Sequence, residues 1–478
     1  MTKINTVICG DSAEVLRQYP DNFFDSVVCD PPYGLSKEPD IAEVLTKWLA
    51  GEPYDHGHGG FMGKSWDSFV PHPDLWREVF RVLKPGGHAL VFAGTRTQDL
   101  MTIALRLGGF EIRDVIEWLY FSGFPKSMDV GKAFDRRRDE DKEHRVKVTS
   151  WVSEQCKANG WTRLALCEVW GVKNQPIQSW TETNADYAVI PTWENWTRLK
   201  DVVGFGDEMD AEVWRLNGRK GKPGDAWEGA EVIGEYEGTP GGFGEYRFSV
   251  SDSFMRAPAT ELARKWNGWG TALKPAHEPI IVARKPLVGT VAETVEKYGT
   301  GAINIDGCRI GRADGERTEY GVTGDEGSPS VNTFGQRERV AYTPDEAGRF
   351  PANCITTDVD AFYSPYFRVD AATAQPNVSP ADLSKKATKR DRNQRVDGAP
   401  SPVPNVHPTV KPVALMAWLI TLVTPPGGTV LDPFAGSGTT LVAAKREGFG
   451  FVGIEREPDY VKIAQARVGI EAEGGAAA

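Results

Sequence analysis

The chain has few cysteines, and none stand close together. Its six (Cys9, Cys29, Cys156, Cys167, Cys308, Cys354) include no CxxC pair. That spacing excludes a zinc ribbon or a disulfide scaffold and points to reduced thiols in a cytosol, with no metal site expected. No uninterrupted apolar run approaches the roughly 18 residues of a membrane span. The start, MTKINTVICGDSAEV, lacks an apolar core and a small-residue cleavage site, so a cytoplasmic protein without a signal peptide or membrane contact is expected. Basic residues are outnumbered: 55 Lys and Arg against 66 Asp and Glu leave a net charge of −11. This is a weak argument against nucleic acid, because binding depends on where the basic residues cluster. The run DRRRDEDKEHRVK (135–147) is nearly balanced by its own acids and reads as a solvated helix face. The run KKATKRDRNQR (385–395) sets six Lys or Arg against Asp391 alone, and suits either a phosphate contact or a basic surface loop.

What is present begins with DPPYG at 30–34. The preceding FFDSVVC is short, apolar and valine-rich, so it reads as a buried strand. Prolines cannot continue a ladder, so the strand stops at the acid. Asp30, Pro31, Pro32 and Tyr33 thus form a stiff loop at the carboxyl end of a strand, where open α/β sheets bind ligands.

A second signal is GTVLDPFAGSGTT at 428–440. A strand runs into a glycine turn, the helix TTLVAAKREG follows, and the next strand, FGFVGIE, ends at Glu455. This is a nucleotide-type βαβ layout whose terminal acid suits ribose hydroxyls. The third glycine of a dinucleotide fingerprint is missing after Gly436 and Gly438, and no P-loop lysine is present. The turn therefore fits a ligand with an adenosine, a ribose diol and no phosphate, such as S-adenosylmethionine.

Together, DPPY and DPFAGSGTT resemble the amino-group DNA methyltransferases, which modify N6 of adenine or N4 of cytosine. The catalytic motif comes first, with a long segment between, an order that resembles their β class. The similarity covers roughly 1–125, 255–287 and 405–468, and CGDSAEVL, RVLKPGG, SGFPKS and HPTVKP add to it. The resemblance implies an α/β, Rossmann-like S-adenosylmethionine-dependent methyltransferase sheet, mostly parallel, with helices on both faces and a largely helical insertion. The expected organisation is a catalytic half at 1–125 and an inserted recognition region at 126–254, with a return to the core at 255–290. An irregular Gly/Pro/charged insertion at 291–405 and a cofactor half at 406–468 follow, and 469–478 is a disordered tail.

The same resemblance implies roles. Hydrogen bonds from both amine hydrogens of a base, one to the Asp30 carboxylate and one to the Pro31 carbonyl, would free a nitrogen lone pair otherwise delocalised into the ring. Tyr33 would stack on the flipped base. Asp432 and the loop from Phe434 through Gly436, Ser437 and Gly438 to Thr439 would surround the methionine part of the cofactor. Glu455 would hold the ribose. Asp11 would sit near the adenine, or only cap a helix. Thr409 and Lys411 could hold the methionine carboxylate, with Lys411 equally readable as a surface lysine, and His407 reads as structural.

Recognition of the target needs a further element. In TRLALCEVWGVKNQPIQSW (162–180) the apolar spacing, with Gly171 at the bend, matches a helix-turn-helix within about 152–204. Lys173, Asn174, Gln175, Gln178 and Ser179 would then line a recognition helix. Two packed amphipathic helices filling the insertion are the alternative. The expected substrate is double-stranded DNA, with adenine N6 favoured over cytosine N4 because Asp stands first in the motif. An RNA methyltransferase and a non-catalytic DNA-binding regulator on the same fold are the rivals. No nuclease cluster is visible, and a homodimer and a separate restriction endonuclease are left open as partners.

Overall fold

The computed structural model describes residues 3–34, 38–57, 68–120, 127–138, 140–219, 222–235, 254–310, 348–356 and 392–470. The chain divides into two compact units, 1–123 with 275–478, and 124–274. Its strands, in chain order, are β1 (Thr6–Cys9), β2 (Phe24–Cys29), β3 (Leu83–Phe92), β4 (Glu111–Leu119) and β5 (Val232–Glu235). They continue as β6 (Phe254–Arg256), β7 (His277–Arg284), β8 (Cys354–Thr356), β9 (Thr429–Asp432) and β10 (Gly450–Glu455).

In the first unit eight strands form one sheet in the order β1-β10-β9-β2-β3-β7-β4-β8. β7 is antiparallel to both neighbours, and the other pairs are parallel. The sheet is covered on both faces, which is why ALVF in β3 and PIIVA in β7 read as unbroken, buried apolar runs. Along β2, Val27 and Cys29 enter one core and Val28 the other. Along β10, Val452 and Ile454 face one way and Phe451 the other. One core is closed by helix Pro73–Val82, whose Trp76, Val79 and Val82 are buried. The other is closed by helix Val413–Val423, which is apolar nearly all round and buries Trp418 and Leu419. Such a helix belongs in an interior. The mostly parallel sheet with helices on both faces is as expected.

The second unit is largely helical. Helices Glu140–Ala158, Arg163–Trp170, Trp193–Val203 and Asp210–Gly218 surround a core of Val148, Val152, Leu166, Ile177, Trp196, Leu199 and Val213. Three expectations change here. The return to the core comes at 275 rather than 255, because β6 pairs with β5 and helix Glu261–Lys265 packs on helix Val130–Asp135. The acidic and basic run at 135–147 is not simply a solvated face, since Asp141 is 2% exposed and lies beside Arg138, Arg215 and Arg219. The second helix of the expected helix-turn-helix is a single turn, Ile177–Trp180. Pro176 before it has no N–H for a longer ladder. The Thr181 hydroxyl donates to the carbonyls of Ile177 and Gln178 at its end. The runs 385–391 and 471–478, SGFPKS up to Lys126, and most of 311–391 lie outside the described residues.

Candidate active site

Parallel neighbours bring the candidate acids to one edge. β1, β10, β9 and β2 lie side by side, with Cys9 opposite Glu455, Gly453 opposite Asp432 and Val27 opposite Leu431. Asp11, Glu455, Asp432 and Asp30 end or follow these strands, so all four reach the carboxyl edge where ligands bind. β7 runs the other way, and its beginning, Glu278, arrives at the same edge opposite Trp118 of β4.

Around DPPY the contacts are dense. Lys411, 9% exposed, places Nζ 2.5 Å from Asp30 Oδ2 and 3.4 Å from Glu278 Oε2, and donates to the Tyr33 hydroxyl at 3.2 Å. The Tyr33 hydroxyl in turn donates to Glu278 Oε2 at 3.2 Å. Lys411 also sits 4.7 Å from the centre of the Phe92 ring and 5.3 Å from that of Tyr33, a cation–π setting for a buried ammonium. Thr97 Oγ1 donates to the Tyr33 carbonyl at 2.6 Å, fixing the loop from behind. Burial, then the carboxylates of Asp30 and Glu278, push the Tyr33 phenol well above its ordinary range, so it stays a neutral donor. Asp30 Oδ1 is buried with no hydrogen-bond partner among the described residues. Lys411 is therefore not a surface lysine, and Glu278, which no motif announces, joins the site.

The glycine turn is built from beneath. Asp432 Oδ1 accepts from the Phe434 amide at 3.0 Å, and Glu455 accepts from the amides of Gly436 and Glu457, each at 2.8 Å. Burial raises Asp432 to a pKa of about 7, with Asp30 and Glu455 adding to the rise. Burial also raises Glu455, against the hydrogen bonds it accepts. Ser437 and Thr439 do not simply face a ligand: Arg467, fully buried, donates from Nη1 to Ser437 O at 2.7 Å, Ser437 Oγ at 3.1 Å and Thr439 Oγ1 at 3.0 Å. Phe434 packs on Trp76, with ring centres 6.0 Å apart. His407 lies against the turn, where a Cβ on Gly436 would come within 3.0 Å of its Nε2, and burial lowers its pKa to about 4. Thr409 is exposed, with its carbonyl 2.5 Å from His407 Nδ1. Asp11 caps helix Ser12–Leu16 through the amides of Ala13 and Glu14. Ser12 Oγ donates to the Pro433 carbonyl at 2.5 Å, tying the two turns together.

The recognition candidates divide. Lys173, Asn174 and Gln175 are exposed in the loop between helices, and Gln178 and Ser179 lie on the one-turn helix. Asn174 donates to Gln178 at 2.5 Å and Ser179 to Gln175 at 2.8 Å. Gln175, Gln178 and Ser179 line a polar hollow with Glu182, Asn184 and Tyr187.

Residues 24–163 and 263–466, well over half of the chain, match the model of the DNA methylase family of the N6/N4 type. The chain belongs to this family. Within it, a 67-residue stretch, 14% of the chain, is 51% identical to the Type II methyltransferase M2.DpnII of Streptococcus pneumoniae and covers 25% of that protein. A 62-residue stretch, 13% of the chain, is 48% identical to the Type II methyltransferase M2.LlaDCHI of Lactococcus lactis subsp. cremoris and covers 23% of it. The chain thus spans about a quarter of the length of the curated relatives it matches. The solved PvuII DNA methyltransferase (cytosine-N4-specific) aligns over 98% of this chain and 87% of its own, at 13% identity and a TM-score of 0.37.

The DNA methylase site suits S-adenosylmethionine. Asp432 is a buried carboxyl that a cationic neighbour would ionise, and both Glu455 oxygens keep lone pairs for a ribose diol beyond the amides they already accept. Gly436 and Gly438, at φ +49° and +79°, make the turn that lets backbone approach a ligand.

Proposed function

We propose that this DNA methylase transfers a methyl group to the exocyclic amine of a base flipped from double-stranded DNA, with adenine N6 as the target. The observation that carries the reading is Asp30 Oδ1, a buried carboxylate oxygen without a partner among the described residues. A buried unpaired acceptor costs roughly 1–3 kcal/mol, so it is kept for a donor that arrives from outside. An amine hydrogen is such a donor, and the Pro31 carbonyl on the same stiff loop would take the second. Tyr33, held through its hydroxyl, would stack on the extruded base. S-adenosylmethionine would supply the methyl group, with Asp432 and the 434–439 turn beside its methionine part and Glu455 on its ribose. Asp at the first position of the motif supports adenine. The match to the DNA methylase family supports DNA as the substrate, and the helical unit with its polar hollow at Gln175, Gln178 and Ser179 is proposed to read it.

The chain is expressed in cells that lack DNA methylation, beside an Asp30→Ala control, and the DNA nucleosides are analysed by mass spectrometry. N6-methyladenine in the first sample alone is expected. N4-methylcytosine would keep the chemistry and change the base, and no methylated base in either sample would refute the proposal.

A further inference from the structure

The ammonium of Lys411 has three N–H donors and meets three acceptors: Asp30 Oδ2 at 2.5 Å, the Tyr33 hydroxyl at 3.2 Å and Glu278 Oε2 at 3.4 Å. No donor is left over for a cofactor carboxylate, the role its place in HPTVKP implied. What the three contacts do is mechanical. A carboxylate free to turn about its last bond can offer either oxygen; one held through Oδ2 offers Oδ1 alone, in one direction. Glu278 completes the device. It lies at the start of β7 and is 9% exposed. It takes the Tyr33 hydroxyl and gives Lys411 a second counter-charge, so the buried ammonium stays between two carboxylates. Lys411, Tyr33 and Glu278 close a ring of contacts from which Lys411 also holds Asp30, and this ring joins the motif before the insertions to the segment after them.

We propose that Lys411 and Glu278 are positioning residues for methyl transfer, holding Asp30 with Oδ1 as the acceptor and fixing the Tyr33 ring, without touching base or cofactor themselves. This rests on the function proposed above.

The test uses the full chain carrying Lys411→Met or Glu278→Gln. The second variant is isosteric and guards against a first that fails to fold, and thermal melting checks both. Two quantities are read: the Kd for S-adenosylmethionine by calorimetry, and the single-turnover rate of labelled methyl incorporation into unmethylated DNA. Expected are a Kd within about twofold of the parent and rates lower by about 100-fold for Lys411→Met and about tenfold for Glu278→Gln, a loss confined to the chemical step. A Kd weakened by about tenfold or more in Lys411→Met would make Lys411 a cofactor ligand and overturn the proposal, whatever the reaction. Parental rates in both folded variants would overturn it while leaving the methyltransferase reading intact. No incorporation by the parent chain would remove that reading, and this one with it.

Discussion

Asp432 offers a test that needs no substrate. Its carboxyl is 2% exposed, and burial lifts its pKa from 3.8 to about 7. Below pH 3.8 the group is neutral in both folded and unfolded chains and has no effect on stability. Between pH 3.8 and 7 the unfolded chain releases the proton while the native chain keeps it, so stability falls as pH rises. Above 7 both are ionised and the loss is constant, at about 4 kcal/mol. Asp432→Asn removes the titration but keeps an oxygen to accept the Phe434 amide, which Asp432 holds at 3.0 Å. The variant should therefore gain stability over the parent chain as pH rises, by about 2 kcal/mol between pH 5 and 7, and level off by pH 8. Urea unfolding at pH 5, 6, 7 and 8 measures the difference directly. A difference that stays constant across that range would refute the argument, as would a parent chain more stable than the variant at pH 8. The variant should also lose cofactor binding, because sites built for ligands are often maintained against stability.

Two further outcomes follow from the same turn. Gly438 and Gly448 share a φ of +79°, but a Cβ on Gly438 would lie 2.9 Å from Ala464 Cβ and 3.0 Å from its Cα, whereas one on Gly448 meets nothing within 4 Å. Gly448→Ala should cost about 1 kcal/mol for the left-handed backbone alone and Gly438→Ala about 2–4 kcal/mol, and equal melting losses would remove the contact with the last helix from the account. If a cationic ligand settles beside Asp432, its binding should release a proton near pH 6.5. Calorimetry of S-adenosylmethionine in buffers of different ionisation enthalpy reads that release, and a buffer-independent heat would count against the placement.

The edge of the sheet was legible because each of its turns is announced locally. FFDSVVC stops at a diproline, and GTVLD runs into Gly436 and Gly438, so strand and stop are both written within a dozen residues. Glu278 was not legible, since its place depends on β7 running antiparallel between β3 and β4, a direction that HEPIIVARKPL does not encode. Lys411 reads equally as a cofactor ligand and as a surface lysine until residue 30, 381 positions away, is folded against it. Arg467 looks like the polar face of helix Pro458–Val468, yet it is fully buried because Ser437 and Thr439 satisfy it. The recognition helix failed for a different reason. The apolar spacing at Ile177 and Trp180 was right, and both are buried, but the spacing said nothing about how few residues would stay helical after Pro176.

The charge at this edge constrains what can enter it. Asp11, Asp30, Asp432, Glu455 and Glu278 stand there with Lys411 as their buried cation, and the chain as a whole carries a net charge of −11. A phosphate brought to such an edge would meet like charge in a low-dielectric setting, where repulsion is weakly screened. A cationic cofactor would meet the opposite, and its charge would offset the cost of ionising Asp432. A neutral base carrying an amine would meet Asp30 Oδ1, which has no partner among the described residues, and little repulsion. If DNA is the substrate proposed above, this acidity does not bar it but selects the part that would enter. On the function proposed above, the base would come in alone, drawn out of the helix, while its backbone stayed outside on surfaces that must supply their own positive charge.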